Sequence, residues 1–153
     1  MGAADYFSSW SKCDGAKVGM VLTDETERYL VGIGYNGAPA GFPEESGATC
    51  TSFCPRARGE GERGNNYSNC PSVHAEVNGI LSSERGRYAG GTAYVTRACC
   101  WDCSKVLANS GVKRVVMRVT DDDWHRDPDK SIDLLRECGV SVDVYEHDRA
   151  VPS

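Results

Sequence analysis

Residues 92–119 read TAYVTRACCWDCSKVLANSGVKRVVMRV, and three segments of different period follow one another there. Thr92 to Thr96 is short and rich in strand-forming side chains. Cys100 to Asn109 reads as a helix, closed by Gly111, a residue suited to the left-handed backbone of a helix C-terminus. Lys113 to Val119 returns to strand, with Arg114 and Arg118 interrupting its apolar run. A strand, a helix and a second strand in direct succession make a crossover unit, the building block of a layered α/β sheet.

The same reading extends outward in both directions. Asp129 to Glu137 is a helix stopped near Gly139, and Val140, Val142 and Val144 alternate as a last strand. Upstream, a helix opens at His74, with Val77, Ile80 and Leu81 on one face, and closes at Gly86 before the Gly90-Gly91 turn. Val18 to Leu22 and Tyr29 to Ile33 form a hairpin around the polar turn Thr23-Asp24-Glu25-Thr26-Glu27. Residues 3–12 read as a short helix carrying Tyr6, Phe7 and Trp10. The order after that helix is β-β-α-β-α-β-α-β, and with no repeat or linker in view the whole of 1–153 reads as one domain. Residues 34–72 do not fit the pattern: seven glycines, four prolines and three cysteines stand there almost without periodicity. A segment of that length inside a compact domain is functional or is tied down by something.

Composition narrows the class. Of the 153 residues 40% are hydrophobic and 25% charged, ordinary for a globular chain, and the net charge of −5 disfavours a long nucleic acid as partner. Small phosphorylated ligands stay open. No apolar run is long enough to span a bilayer, and Met1-Gly2-Ala3-Ala4-Asp5-Tyr6 has neither the basic start of a signal peptide nor a myristoylation serine. Eight cysteines without an export signal read as reduced thiols used for metal or chemistry, in a cytoplasmic protein.

Two motifs carry that chemistry. His74-Ala75-Glu76 opens one helix and Cys100-Trp101-Asp102-Cys103 opens the next. Cysteines at i and i+3 of a first turn share a face, and the positive end of the helix dipole favours their thiolates. One imidazole and two thiolates leave a tetrahedral zinc one open position for water. Glu76, two residues from His74, is close enough to handle that water's protons without binding the metal. Singly the motifs say little, because a lone CxxC is more often a redox pair or half a structural zinc site. Glu76 speaks against a purely structural site, which has no use for an unligated carboxylate. Cys99 and Cys103 are also near neighbours on a helix, so the register of the thiol pair admits a second reading.

Joined in order, H-x-E and C-x-x-C form the signature of the zinc nucleobase deaminases. Further segments sharpen the likeness: Ser11-Lys12-Cys13, Lys17-Val18-Gly19, the glycine-rich run from Val31 through GYNGAPAG to Gly41, His74 to Ile80, Tyr94-Val95-Thr96, and Cys100 to Lys105. Over essentially its whole length the chain resembles the deoxycytidylate (dCMP) deaminases of the cytidine deaminase superfamily. The resemblance implies a three-layer αβα sandwich around a five-stranded mixed sheet. It implies a hydrolase converting dCMP to dUMP and ammonia, with zinc on His74, Cys100 and Cys103 and with Glu76 moving the protons. The alternative is the same chemistry on CMP, cytidine, deoxycytidine or a modified pyrimidine; an editor of tRNA or DNA is disfavoured by the acidic balance.

Other roles come by the same route. Asn36 matches the asparagine that contacts sugar and base, against its reading as a turn residue before Gly37. Ala98 matches the position whose backbone carbonyl accepts from the exocyclic amine. Trp124 follows the fourth strand, where the superfamily shapes selectivity, and reads either as a cover over the ligand or as an aromatic on the core edge. A hexamer is implied, activated by dCTP and inhibited by dTTP with Mg2+, with Gly34, Tyr35 and Gly37 in the effector loop. Some of these deaminases carry a second, structural zinc; here Cys13, Cys50, Cys54 and Cys70 would supply its four thiolates. Arg56, Arg58 and Arg63 meet a substrate phosphate or form a solvated loop balanced by Glu60 and Glu62. The chain departs from the family pattern at Cys99, where proline is usual, and at Arg97-Ala98 beside the pyrimidine pocket.

Overall fold

The structure is a computed structural model that describes residues 1–42, 54 and 70–145. Its elements run α1 (Gly2–Ser8), β1 (Gly19–Thr23), β2 (Leu30–Tyr35), α2 (Ala75–Leu81), α3 (Arg85–Tyr88), β3 (Thr92–Val95), α4 (Trp101–Ser110), β4 (Arg114–Met117), a 3-10 turn (Asp121–Arg126), α5 (Pro128–Glu137) and β5 (Ser141–Val144). One sheet holds all five strands in the order β2-β1-β3-β4-β5. The β1–β2 hairpin and the β1–β3 pair are antiparallel, whereas β3, β4 and β5 are parallel. The parallel half is where helices connect successive strands, as crossover geometry requires. The sheet is mixed and layered as the sequence implies.

Two glycine contacts show the layering. Gly34 and Gly79 touch, and a Cβ on Gly34 would overlap the Ala75 carbonyl, so α2 lies directly on β2. Met20 pairs with Gly34 and meets Gly79 on the same face. Gly19, the neighbour that points the opposite way, sits against the backbone of α1. Helices α1 and α2 therefore cover opposite faces of the hairpin. On the α2 face, Met20, Leu22, Ala93, Val95, Val115, Met117 and Val142 join Leu107 of α4 and Ile132 and Leu135 of α5 in one buried core. Each such large side chain contributes about 1.5–3 kcal/mol on burial.

Local signals set the boundaries. Gly111 ends α4 at φ 102°, a conformation that costs a residue with a Cβ but not glycine. Pro128 starts α5 in its first turn, where a missing N–H is harmless. Several expected boundaries shift: β2 runs on to Tyr35 rather than stopping at Ile33, and β4 ends at Met117 rather than Val119. The first helix stops at Ser8, short of residue 12. The stretch from His74 to Gly86 is two helices, α2 and α3, divided by Ser82, Ser83 and Glu84. His74 and Cys100 are the N-caps of α2 and α4, one position earlier than the opening residues of those helices. Among the described residues no helix is long and apolar enough to cross a membrane.

Candidate metal centre and active site

Helices α2 and α4 pack side by side with their N-termini converging, and this brings the two motifs together. His74 Nδ1 lies 3.3 Å from Cys103 Sγ and 3.5 Å from Cys100 Sγ. A tetrahedral zinc with bonds of about 2.0–2.1 Å to nitrogen and 2.3 Å to sulfur spaces those atoms by about 3.5 Å. The donor set and its spacing thus fit zinc. Among the described residues these three side chains are the group whose ligand atoms converge in this way. Cys99 does not take part; it is buried below them in the core.

The electrostatics of the thiol pair point the same way. A hydrogen bond shared with Cys103, seconded by His74, holds the Cys100 thiol down at about 4. The same shared bond and burial push Cys103 far up, so without a metal the charge sits on Cys100 and Cys103 is the protonated partner. His74 is raised, first by its bond to Cys100 and also by the nearby Glu76 charge.

Glu76 follows on the first turn of α2 and is 1% exposed. Burial raises its pKa. Its Oε1 finds no hydrogen-bond partner among the described residues. An unpartnered carboxylate oxygen in a core is costly unless something else meets it. Here it sits beside the converging metal donors. The buried Cys99 thiol lies against Glu76, and burial followed by that carboxylate's charge raises it well above its ordinary value.

The other residues singled out from the sequence have different surroundings. Asn36 is buried and spends its amide on the chain before β1: Oδ1 accepts from Val18 N at 2.8 Å and Nδ2 donates to Ala16 O at 2.8 Å. It holds that loop rather than making the tight turn its sequence reading gave as the bland choice. Ala98 is fully buried, and its carbonyl accepts from Arg126 Nη1 at 3.0 Å. Trp124 is 73% exposed, its ring edge-on to His125. Tyr35 packs edge-on to Trp10, and its carbonyl accepts from Asn78 Nδ2 of α2. Gly37 exchanges both backbone hydrogen bonds with Val73, tying the glycine-rich loop to the residue before His74. Cys54 and Cys70 bring their sulfurs to 3.7 Å, and Cys13 is near enough to act on Cys70. Cys50, Arg56, Arg58 and Arg63 lie outside the described residues.

Sequence reasoning missed one feature of the site, the role of Asp123. This aspartate is fully buried and binds Arg97 on the loop leading into α4. The signal available was the Thr120-x-x-Asp123 capping box, which closes in the structure.

Comparison with known proteins completes the picture. The cytidine and deoxycytidylate deaminase zinc-binding region matches residues 1–119. A deoxycytidylate deaminase of Mycobacterium phage D29 is 39% identical over 121 residues, covering 76% of this chain and 88% of that one. The deoxycytidylate deaminase of Enterobacteria phage T4 is 32% identical over 163 residues, covering 88% and 82%. Among solved structures, the apo dCMP deaminase of cyanophage S-TIM5 superposes with a TM-score of 0.66 at 29% identity, covering 94% of this chain and 92% of that one. The same cyanophage enzyme is also known in complex with dCMP and dUMP.

Proposed function

This chain belongs to the cytidine and deoxycytidylate deaminase family, and from that premise we propose that it hydrolyses dCMP to dUMP and ammonia at the His74, Cys100 and Cys103 centre. The observation that carries the reading is the pairing of a zinc-spaced nitrogen and two sulfurs with a buried Glu76 whose Oε1 has no hydrogen-bond partner among the described residues. Relatives named deoxycytidylate deaminase, and a neighbour known with dCMP and dUMP bound, support the choice of substrate.

When bound, zinc supplies Lewis acidity that brings a water molecule's pKa to about 7. The chain's own groups do the rest. Glu76 takes a proton from that water and delivers it to ring N3 while the water oxygen bonds to C4. It then carries the second proton to the exocyclic nitrogen, the C4–N bond breaks, ammonia leaves and C4 keeps the oxygen as a carbonyl. Burial of Glu76 raises its affinity for the proton it must hold between these transfers. The Ala98 carbonyl would accept from the amino group and so orient the ring. Asn36, having one amide hydrogen and one lone pair beyond its bonds to Ala16 and Val18, meets the sugar.

The same reading gives the second thiol cluster a structural zinc. Two sulfurs on one tetrahedral zinc are about 3.8 Å apart, and Cys54 and Cys70 are separated by 3.7 Å. By the family resemblance, Cys13 and Cys50 would supply the other two ligands; Cys50 lies outside the described residues.

The test is ammonia release from dCMP, CMP, deoxycytidine and cytosine side by side, with and without dCTP. The reading predicts that dCMP exceeds deoxycytidine in kcat/KM by orders of magnitude, because the phosphate contacts are lost in the nucleoside. Equal efficiency on both would assign the chain a nucleoside substrate instead.

A further inference from the structure

The loop from Arg97 to Cys99 delivers the chain from β3 to the thiol pair, and α4 begins without a side-chain cap of its own. Its position is fixed from outside by the 3-10 turn. Asp123 Oδ2 accepts from Thr120 N at 2.9 Å and from Thr120 Oγ1 at 3.0 Å. Its Oδ1 accepts from Arg97 Nε at 2.9 Å and stands 3.4 Å from Arg126 Nε. Arg126 in turn donates from Nη1 to the Ala98 carbonyl at 3.0 Å. Asp123 thus fixes Arg97 by a hydrogen bond and Arg126 by a charge contact alone, since Arg126 Nε has no hydrogen-bond partner among the described residues. The two guanidiniums meet two consecutive loop residues.

Stability is a poor explanation for this cluster. Asp123 is fully buried and the Arg126 side chain is 11% exposed. Burying such charges costs desolvation that ion pairing only partly recovers, and apolar replacements are often neutral or better. Two guanidiniums against one carboxylate also leave a net positive charge here. A carbonyl oxygen has two lone pairs, of which Arg126 takes one.

We propose that Arg126, held by Asp123, is a positioning residue that aims the Ala98 carbonyl at the C4 substituent of the pyrimidine and thereby separates amino substrate from oxo product. The inference rests on the cytosine-deaminating reading of the site. A well-aimed carbonyl accepts a hydrogen bond from an amino group and repels a carbonyl oxygen, so orientation of this one oxygen controls the discrimination. Loosening it weakens substrate binding and relieves the repulsion toward product.

The experiment uses zinc-loaded full-length protein carrying Glu76→Gln, so that bound dCMP is not consumed. Calorimetric titration gives Kd for dCMP and dUMP in this parent and after adding Arg126→Met or Arg126→Lys, with zinc content and Tm measured alongside. The proposal predicts that the dUMP-to-dCMP ratio of Kd values falls about fivefold or more in Arg126→Met, with zinc retained, and that Arg126→Lys restores part of it. Where Arg126→Met does not fold, Asp123→Asn releases both guanidiniums and should lower the ratio in the same sense. A parent that discriminates while Arg126→Met, or Asp123→Asn in its place, discriminates equally overturns the positioning role alone. A parent that binds neither nucleotide, or prefers dUMP, overturns the substrate reading and the positioning role with it.

Discussion

The two thiol clusters are built in opposite ways. Cys100 and Cys103 start a helix whose Leu107 is fully buried in the main core, and His74 caps a helix that touches β2 through Gly34 and Gly79. Hydrophobic packing sets these three donors before any metal arrives. Cys54 and Cys70 are 16 residues apart and belong to no helix or strand. Their approach to 3.7 Å is not imposed by the sheet, and Cys13 precedes β1 on a loop held by Asn36. The first cluster is a site the fold prepares; the second is a site that a metal would have to help make. Metal binding should therefore act on chemistry in one and on stability in the other.

The largest effect that can break this contrast is at Cys103. Cys103→Ser removes a donor from the prepared site, and turnover should fall by about three orders of magnitude or more, while circular dichroism stays that of the wild type. Unfolding on that substitution would mean the prepared site depends on its metal after all. Next is Leu107→Ala, which opens a cavity beneath the helix that carries both thiols and should cost about 2–5 kcal/mol in denaturant unfolding. If α4 is what positions the sulfurs, zinc affinity should fall together with stability. An unchanged zinc affinity would place the organising force elsewhere.

Cys54→Ser probes the other side of the contrast. Zinc should drop from about two per chain toward one, Tm should fall by several degrees, and turnover per remaining zinc should stay within about twofold. A wild-type protein that is fully active with a single zinc removes the second site. Last comes Asn36→Ala, which strands a buried Val18 N–H and the Ala16 carbonyl at a cost of about 1–3 kcal/mol and, with the sugar contact gone, should also raise KM for dCMP. If the loop it holds also carries a zinc ligand, chelator should strip the second zinc faster from this variant than from wild type.

Much of the fold could be read directly. The period changes between Thr92 and Val119, and the stops at Gly111 and Gly139, locate β3, α4, β4 and β5 to within a residue or two. The two metal motifs were legible for the same reason, since each opens a helix whose apolar face dictates its orientation. Where reading failed, the cause was tertiary. Asp121 to Arg126 is five charged or titratable residues around one tryptophan and looks like a solvated loop. Yet Asp123 ends fully buried because Arg97, Arg126 and Thr120 all converge on it. No periodicity encodes such pairing. Asn36 likewise resembles a turn former next to Gly37, and its bonds reach back 18 and 20 residues. Cys99 stands where the family prefers proline, and only packing shows it behaving as a small core hydrophobe.

The central claim is that the fold-prepared donors bind zinc and that Glu76 moves the protons. Glu76→Gln tests both halves in a single preparation assayed for zinc content and for ammonia release from dCMP. The account predicts the wild-type amount of zinc and a rate lowered by about three orders of magnitude or more. Zinc retained with a rate within tenfold of wild type would contradict it.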